Sequence, residues 1–116
     1  MNDIDIPIIK KVYELYKIFH EYRKVISKID RFTIFERSEN IIIDIVELLL
    51  EAGYSRAANK NIVLEKASAK LNTLRFFIRL MKDTKALDNK KYINLQEMID
   101  EIGRMLGGWI RSNINR

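Results

Sequence analysis

Cysteine is absent from the 116 residues, so disulfides, thiolate metal sites and cysteine nucleophiles are excluded. Proline occurs once and glycine four times, which leaves little material for strands joined by tight turns. His20 is the only histidine. It has no second histidine and no spaced carboxylates with which to form a triad, a metal site or the paired Glu-x-x-His of di-iron bundles. No arginine precedes it, which excludes a helical nuclease motif of the Arg-x4-His type. We read His20 as a partly exposed helix residue. No apolar run approaches the roughly 20 residues of a membrane span. The acidic opening, Met1-Asn2-Asp3-Ile4-Asp5-Ile6-Pro7, has no signal-peptide pattern. These absences lead us to expect a cytoplasmic, non-enzymatic protein with no cofactor, metal, membrane or small-molecule substrate.

Hydrophobic residues make up 47% of the chain and charged residues 32%, a globular composition rich in Ile, Leu, Lys and Glu. One domain spanning residues 1–116 is expected. Pro7 suits the first turn of a helix. From there Ile8, Val12, Leu15, Phe19, Tyr22, Ile26 and Ile29 form an unbroken apolar seam. Thr33 and Glu36 have the spacing of a capping box, and Gly53 stands where a left-handed residue would end the second helix. Residues 53–60 read as a connection. Leu64, Ala67, Leu71, Leu74, Ile78 and Met81 give the third seam, and Tyr92, Leu95, Ile99, Ile102, Leu106 and Trp109 the fourth. Asp88 or Asn94 can cap the last helix. The spacing predicts helices over about residues 7–30, 34–52, 61–84 and 92–113, an all-α, up-down-up-down four-helix bundle.

Two features exceed what such a bundle needs. Ile41, Ile42, Ile43, Ile45, Val46, Leu48, Leu49 and Leu50 are interrupted only by Asp44 and Glu47, so the second helix is apolar around most of its circumference. Phe76 and Leu80 lie off the third seam and double its apolar face as well. A helix buried on two sides in so small a domain calls for an oligomer. The second feature is charge. Residues 59–116 carry twelve Lys/Arg against six Asp/Glu, whereas residues 1–58 carry nine against ten. A basic half is the footprint of a polyanion partner, and ordinary solubility charge stands beside it as an equal alternative.

The last helix joins both themes. Three of the four glycines and the only tryptophan lie in Gly103-Arg104-Met105-Leu106-Gly107-Gly108-Trp109. Each glycine costs a helix about 1 kcal/mol against alanine. With no preceding strand and no Lys-Ser/Thr following, a phosphate-binding loop is excluded. Gly103, Gly107, Gly108 and Trp109 are therefore assigned to helix packing through close backbone approach. Arg104 and Arg111 are seven residues apart, so both fall on the side opposite the seam. Arg75 and Arg79 flank the second apolar stripe of helix three, with Lys82 one turn on. Arginine's planar fork suits phosphate, and surface or intersubunit ion pairs, with Asp100 or Glu101 for instance, are the alternative use.

Leu74-Arg75-Phe76-Phe77-Ile78-Arg79-Leu80, followed by Ile102-Gly103-Arg104-Met105-Leu106-Gly107-Gly108-Trp109-Ile110, closely resembles the accessory variability determinant (Avd) family. These proteins accompany the reverse transcriptase of diversity-generating retroelements and are related to four-helix-bundle proteins encoded in ribosomal-RNA intervening sequences. The resemblance spans nearly the whole chain in length and helix order, and it is specific in the two motifs. It implies a non-enzymatic bundle assembling into a basic, barrel-like homopentamer. Such an assembly binds reverse transcriptase and RNA or DNA and supports mutagenic retrohoming. By matching position, Arg75, Arg79 and Arg104 are the candidate contacts, with Arg111 just beyond the second motif. The chain departs from the family pattern in being only modestly basic. The alternative is a structural oligomeric bundle of the intervening-sequence type with no retroelement role.

Overall fold

Pro7 fixes φ and lacks the N–H that a first helical turn cannot satisfy, and helix α1 starts there. In the computed structural model, which describes residues 6–114, α1 runs Pro7–Tyr22 and buries Ile8, Ile9, Val12, Leu15 and Phe19. A single 3-10 turn, Arg23–Val25, follows, and Ile26 is extended with φ −84° and ψ 136°. Ser27 then caps a new helical rod. Its hydroxyl accepts from the Asp30 backbone N–H at 3.4 Å and donates to Asp30 Oδ2 at 2.9 Å.

The rod comprises α2 (Lys28–Asp30), a π turn (Arg31–Phe35) and α3 (Glu36–Tyr54). After two extended residues, α4 runs Ala57–Asp83, and α5 runs Asn89–Ile114. Among the described residues there is no strand. The two long antiparallel pairs, α3 with α4 and α4 with α5, are joined by short connections. α1 closes the ring by packing on both α3 and α5. This is the neighbour pattern of an up-and-down four-helix bundle. Among the described residues the longest dimension is 46 Å, and the 27 residues of α4 alone span about 40 Å at 1.5 Å each.

The apolar seams meet along that axis. Phe19 and Phe35 are both fully buried and stack with centroids 4.2 Å apart. Leu49, Leu64, Leu74, Leu95, Ile99 and Ile102 carry the contact toward the other end.

Several boundaries differ from those the sequence suggested. The first helix ends near Tyr22, because Ser27 and Asp30 form a stronger local start than Thr33 and Glu36. Ile26 is buried in the elbow, but Ile29 belongs to α2 and is 81% exposed. Thr33 caps nothing: its hydroxyl donates 2.8 Å to the Ile29 carbonyl within the rod. Gly53 is not a left-handed terminator. It lies inside α3, which ends instead where Ser55 turns extended and returns its hydroxyl to the Glu51 carbonyl at 2.8 Å. Residues 57–60, read as connection, are the first turn of α4.

Asp88, one of two candidate caps, accepts from the Lys91 N–H at 2.8 Å. Asn94 instead donates to the Tyr22 hydroxyl at 2.8 Å and ties α5 to α1. The α4–α5 turn is made by Lys85, whose φ of 66° is a left-handed value at a non-glycine residue. The acidic residues Met1–Asp5 lie outside the described residues.

Candidate nucleic-acid interface

Steps of three and four along α4 place Ser68, Asn72, Arg75, Arg79 and Lys82 within a stripe of roughly 80° at 100° per residue. That stripe borders α5. Arg75 Nη1 donates to Asp100 Oδ1 on α5, with the two side chains 33% and 51% exposed. Arg79 Nε donates to both carboxylate oxygens of Asp83 at 3.2 Å. The Asp83 hydrogen bond, its charge and then Tyr92 raise the Arg79 guanidinium above its ordinary range, so it holds its proton throughout the accessible pH range. Lys82 Nζ stands 4.6 Å from the centre of the Tyr92 ring. Gln96 donates to the Tyr92 hydroxyl at 3.0 Å and holds that ring in place.

On the α5 side, Arg75 and Arg104 line one groove of about 390 Å³ with Ser68, Leu71, Asn72, Asp100, Gly103 and Leu106. Arg104 is exposed and faces no carboxylate within ion-pair distance among the described residues. Arg111, two turns on, is likewise exposed and outside that groove. The structure thus gathers Arg75, Arg79, Lys82 and Arg104 on the α4–α5 seam and leaves Arg111 further along α5.

The glycines have a specific local role. A Cβ at Gly103 would stand 2.8 Å from Arg75 Nη2, and one at Gly107 would stand 3.3 Å from Arg111 Nη1. Gly108 is the looser neighbour, at 3.9 Å from Arg111 Nη2. Among the described residues, no backbone outside α5 comes within 4 Å of those positions. Within the single chain, the missing side chains admit guanidinium groups. Trp109 is half-buried and shares an apolar hollow of about 300 Å³ with Ile6, Pro7, Ile8 and Met105, packing the end of α5 against the start of α1.

Four cations and two carboxylates on one seam favour anions weakly. The ion pairs are solvent-exposed, worth about 0–1 kcal/mol each, so a phosphate competes for Arg75 and Arg79 at little cost. Asp100, Ser68 and Asn72 were not singled out as groove residues from sequence. The signal was present in their helical spacing from the arginines, three residues for Asn72, four for Asp100 and seven for Ser68, but which helix lies alongside is a tertiary fact. The structure brings His20 a carboxylate, Glu39, which its spacing in the sequence did not suggest. The His20 side chain is 55% exposed, stacks beside Tyr16 and has Nδ1 3.0 Å from Glu39 Oε2. Among the described residues, no three His, Asp or Glu side chains gather as metal ligands. No helix among them is long and apolar enough to cross a membrane.

An all-helical fold of four long helices, with a cationic seam between two of them, defines the class: a four-helix-bundle protein. A family model described as bAvd-like matches residues 7–113. The chain belongs to that family and is an accessory variability determinant-type protein. Membership suggests an accessory role in diversity-generating retroelements and association with their components. No protein among the curated ones matches the chain.

Proposed function

We propose that this protein is a cytoplasmic, non-enzymatic accessory factor that binds the retroelement's reverse transcriptase and its template RNA or DNA through the α4–α5 seam. In this reading the chain works as a homo-oligomer, a pentamer by family analogy, and supports mutagenic retrohoming. The observation that carries the proposal is the alignment of Arg75, Arg79, Lys82 and Arg104 on one face of a bAvd-like chain. Arg111 extends the cationic line along α5. Apolar surface left uncovered on the single chain supports assembly. Phe76 is 64% exposed, and Ile9, Tyr13, Tyr16, Ile43 and Val46 line an apolar groove between α1 and α3.

The test is binding of template RNA and of matched DNA across a salt series. Each phosphate contact contributes about 0.7 to 0.9 to the slope of log affinity against log salt. The double variant Arg75→Ala, Arg79→Ala should flatten that slope and weaken capture of the polymerase. Undetectable binding at low salt, with polymerase capture unchanged in the variant, would sink the proposal. The internal pairing of Arg75 with Asp100 and of Arg79 with Asp83 favours a second reading, a structural oligomer of the intervening-sequence type. A neighbouring reverse transcriptase gene with template and variable repeats supports the first reading. Insertion within a ribosomal-RNA gene supports the second.

A further inference from the structure

The elbow between α1 and α2 holds a second concentration of positive charge, built from elements that contribute nothing to the α4–α5 seam. His20, Glu21, Arg23, Lys24 and Arg31 line one hollow of about 410 Å³. Three cations line it; a carboxylate outside the lining, Glu39, stands 4.0 Å from Arg23 and 3.0 Å from His20, and only one carboxylate lies in the lining itself. That carboxylate, Glu21, is bonded to Lys24 at 2.9 Å with both side chains well exposed, a contact easily exchanged. The other two cations are held in place. Arg23 lies over the Phe32 ring at 5.5 Å and has Nη1 4.0 Å from Glu39 Oε1. Arg31 Nη2 donates to the Ile26 carbonyl at 3.1 Å, which fixes the plane of its guanidinium. Arg31 Nε is buried and has no hydrogen-bond partner among the described residues.

The buried Nε takes no part in the hollow, but a guanidinium whose plane is fixed, beside two more cations, presents its outer edge to an anion. The shape of the hollow narrows the anion. A nucleic-acid strand needs a track of cations spaced along its backbone, as on the α4–α5 seam. The elbow is instead a single hollow lined by five residues from His20 to Arg31. We infer that the α1–α2 elbow binds one phosphomonoester group, with Arg31 as its central ligand and Arg23 and Lys24 completing the charge. Inorganic phosphate and the terminal phosphate of a nucleotide share this chemistry.

Equilibrium dialysis with radiolabelled inorganic phosphate, and separately with a nucleoside 5′-monophosphate, tests the site on the whole protein at constant ionic strength. We expect saturable binding of one phosphate per chain that chloride does not displace. Arg31→Gln should weaken it by about tenfold, the usual consequence of losing one charge-assisted contact. Lys24→Gln, at an exposed position that cannot disturb the core, should weaken it severalfold. Arg31→Lys should recover only part of the loss, because it restores the charge and not the fork. Arg75→Ala should leave this binding unchanged even if it abolishes binding at the seam, so the two sites fail separately. Equal affinity for the two probes identifies the phosphate alone as the ligand, and tighter nucleotide binding adds its attached group. Binding that never saturates, or that Lys24→Gln leaves intact in a folded protein, overturns the inference.

Discussion

At the level of single residues, the α5 glycines are best understood through the arginines they accommodate. A methyl group at Gly103 meets the far end of the Arg75 side chain and nothing rigid except Leu71 Cδ2 at an ordinary 3.6 Å. Replacing glycine by alanine inside a helix gains up to about 1 kcal/mol. Gly103→Ala should therefore hold or raise the melting temperature while displacing Arg75 from Asp100. A crystal structure, or a double-mutant cycle with Asp100→Asn, reads that displacement directly. A fall of several degrees would mean that Gly103 packs against something larger than a guanidinium.

Asp88 supplies a second residue-level case. Hydrogen bonds from the Lys91 ammonium and then its backbone N–H hold this exposed carboxyl below its usual range. A group whose pKa is lowered on folding contributes stability above its unfolded value, near 4, and loses it as pH falls through the folded value. The melting temperature should thus fall on acidification from about pH 4 downward. Asp88→Asn, which keeps an acceptor for the cap, should show a shallower fall.

Among the elements, the rod α2–π–α3 sets the geometry of the elbow. The π turn lies immediately before α3, and Phe35, its last residue, seats flat against Phe19. Ser38, buried one turn later, is satisfied by the Ile34 carbonyl at 2.8 Å. Arg31, at the start of the same turn, faces the elbow hollow. Phe35→Ala should cost about 3–5 kcal/mol, as expected for a fully buried aromatic, measured by denaturant unfolding. A cost below about 1 kcal/mol would show that the Phe19 pairing does not anchor the rod.

For the whole molecule, surface is the informative quantity. Tyr13, Ile43, Phe76 and Ile93 are all exposed on the single chain, distributed over α1, α3, α4 and α5. If those faces meet other copies, light scattering should return a multiple of the 13.8 kDa chain mass, five-fold for the proposed assembly. Phe76→Asp should shift it toward the monomer. A monomeric wild-type protein would remove the argument from uncovered apolar surface. Gly107→Leu distinguishes two roles in the same experiment. If an assembled neighbour uses that glycine, oligomer mass falls and binding follows. Loss of binding with mass intact would place its role in positioning Arg111.

Much of this architecture was legible in the residue order, because helical periodicity is a local signal. Val12, Leu15 and Phe19, Leu64 through Met81, and Leu95 through Leu106 appear as seams and are buried as seams. The cations Arg75, Arg79, Lys82 and Arg104 were visible for the same reason. The elbow was not, since a run of apolar residues at steps of three and four continues through Ile26 and Ile29 whether or not the backbone does. Only the competition between two candidate caps, decided by where the chain had to turn back onto α1, broke the helix at Ser27. Sequence alone therefore determined the four long helices, most of their buried faces and the position of charge along each. Tertiary structure decided which charges became neighbours: Arg75 with Asp100 across α4 and α5, and Arg23 with Arg31 around the elbow. The first depends on residues 25 apart in the chain, on two helices lying side by side, and the second on a local break in the helix, and periodicity within one helix predicts neither.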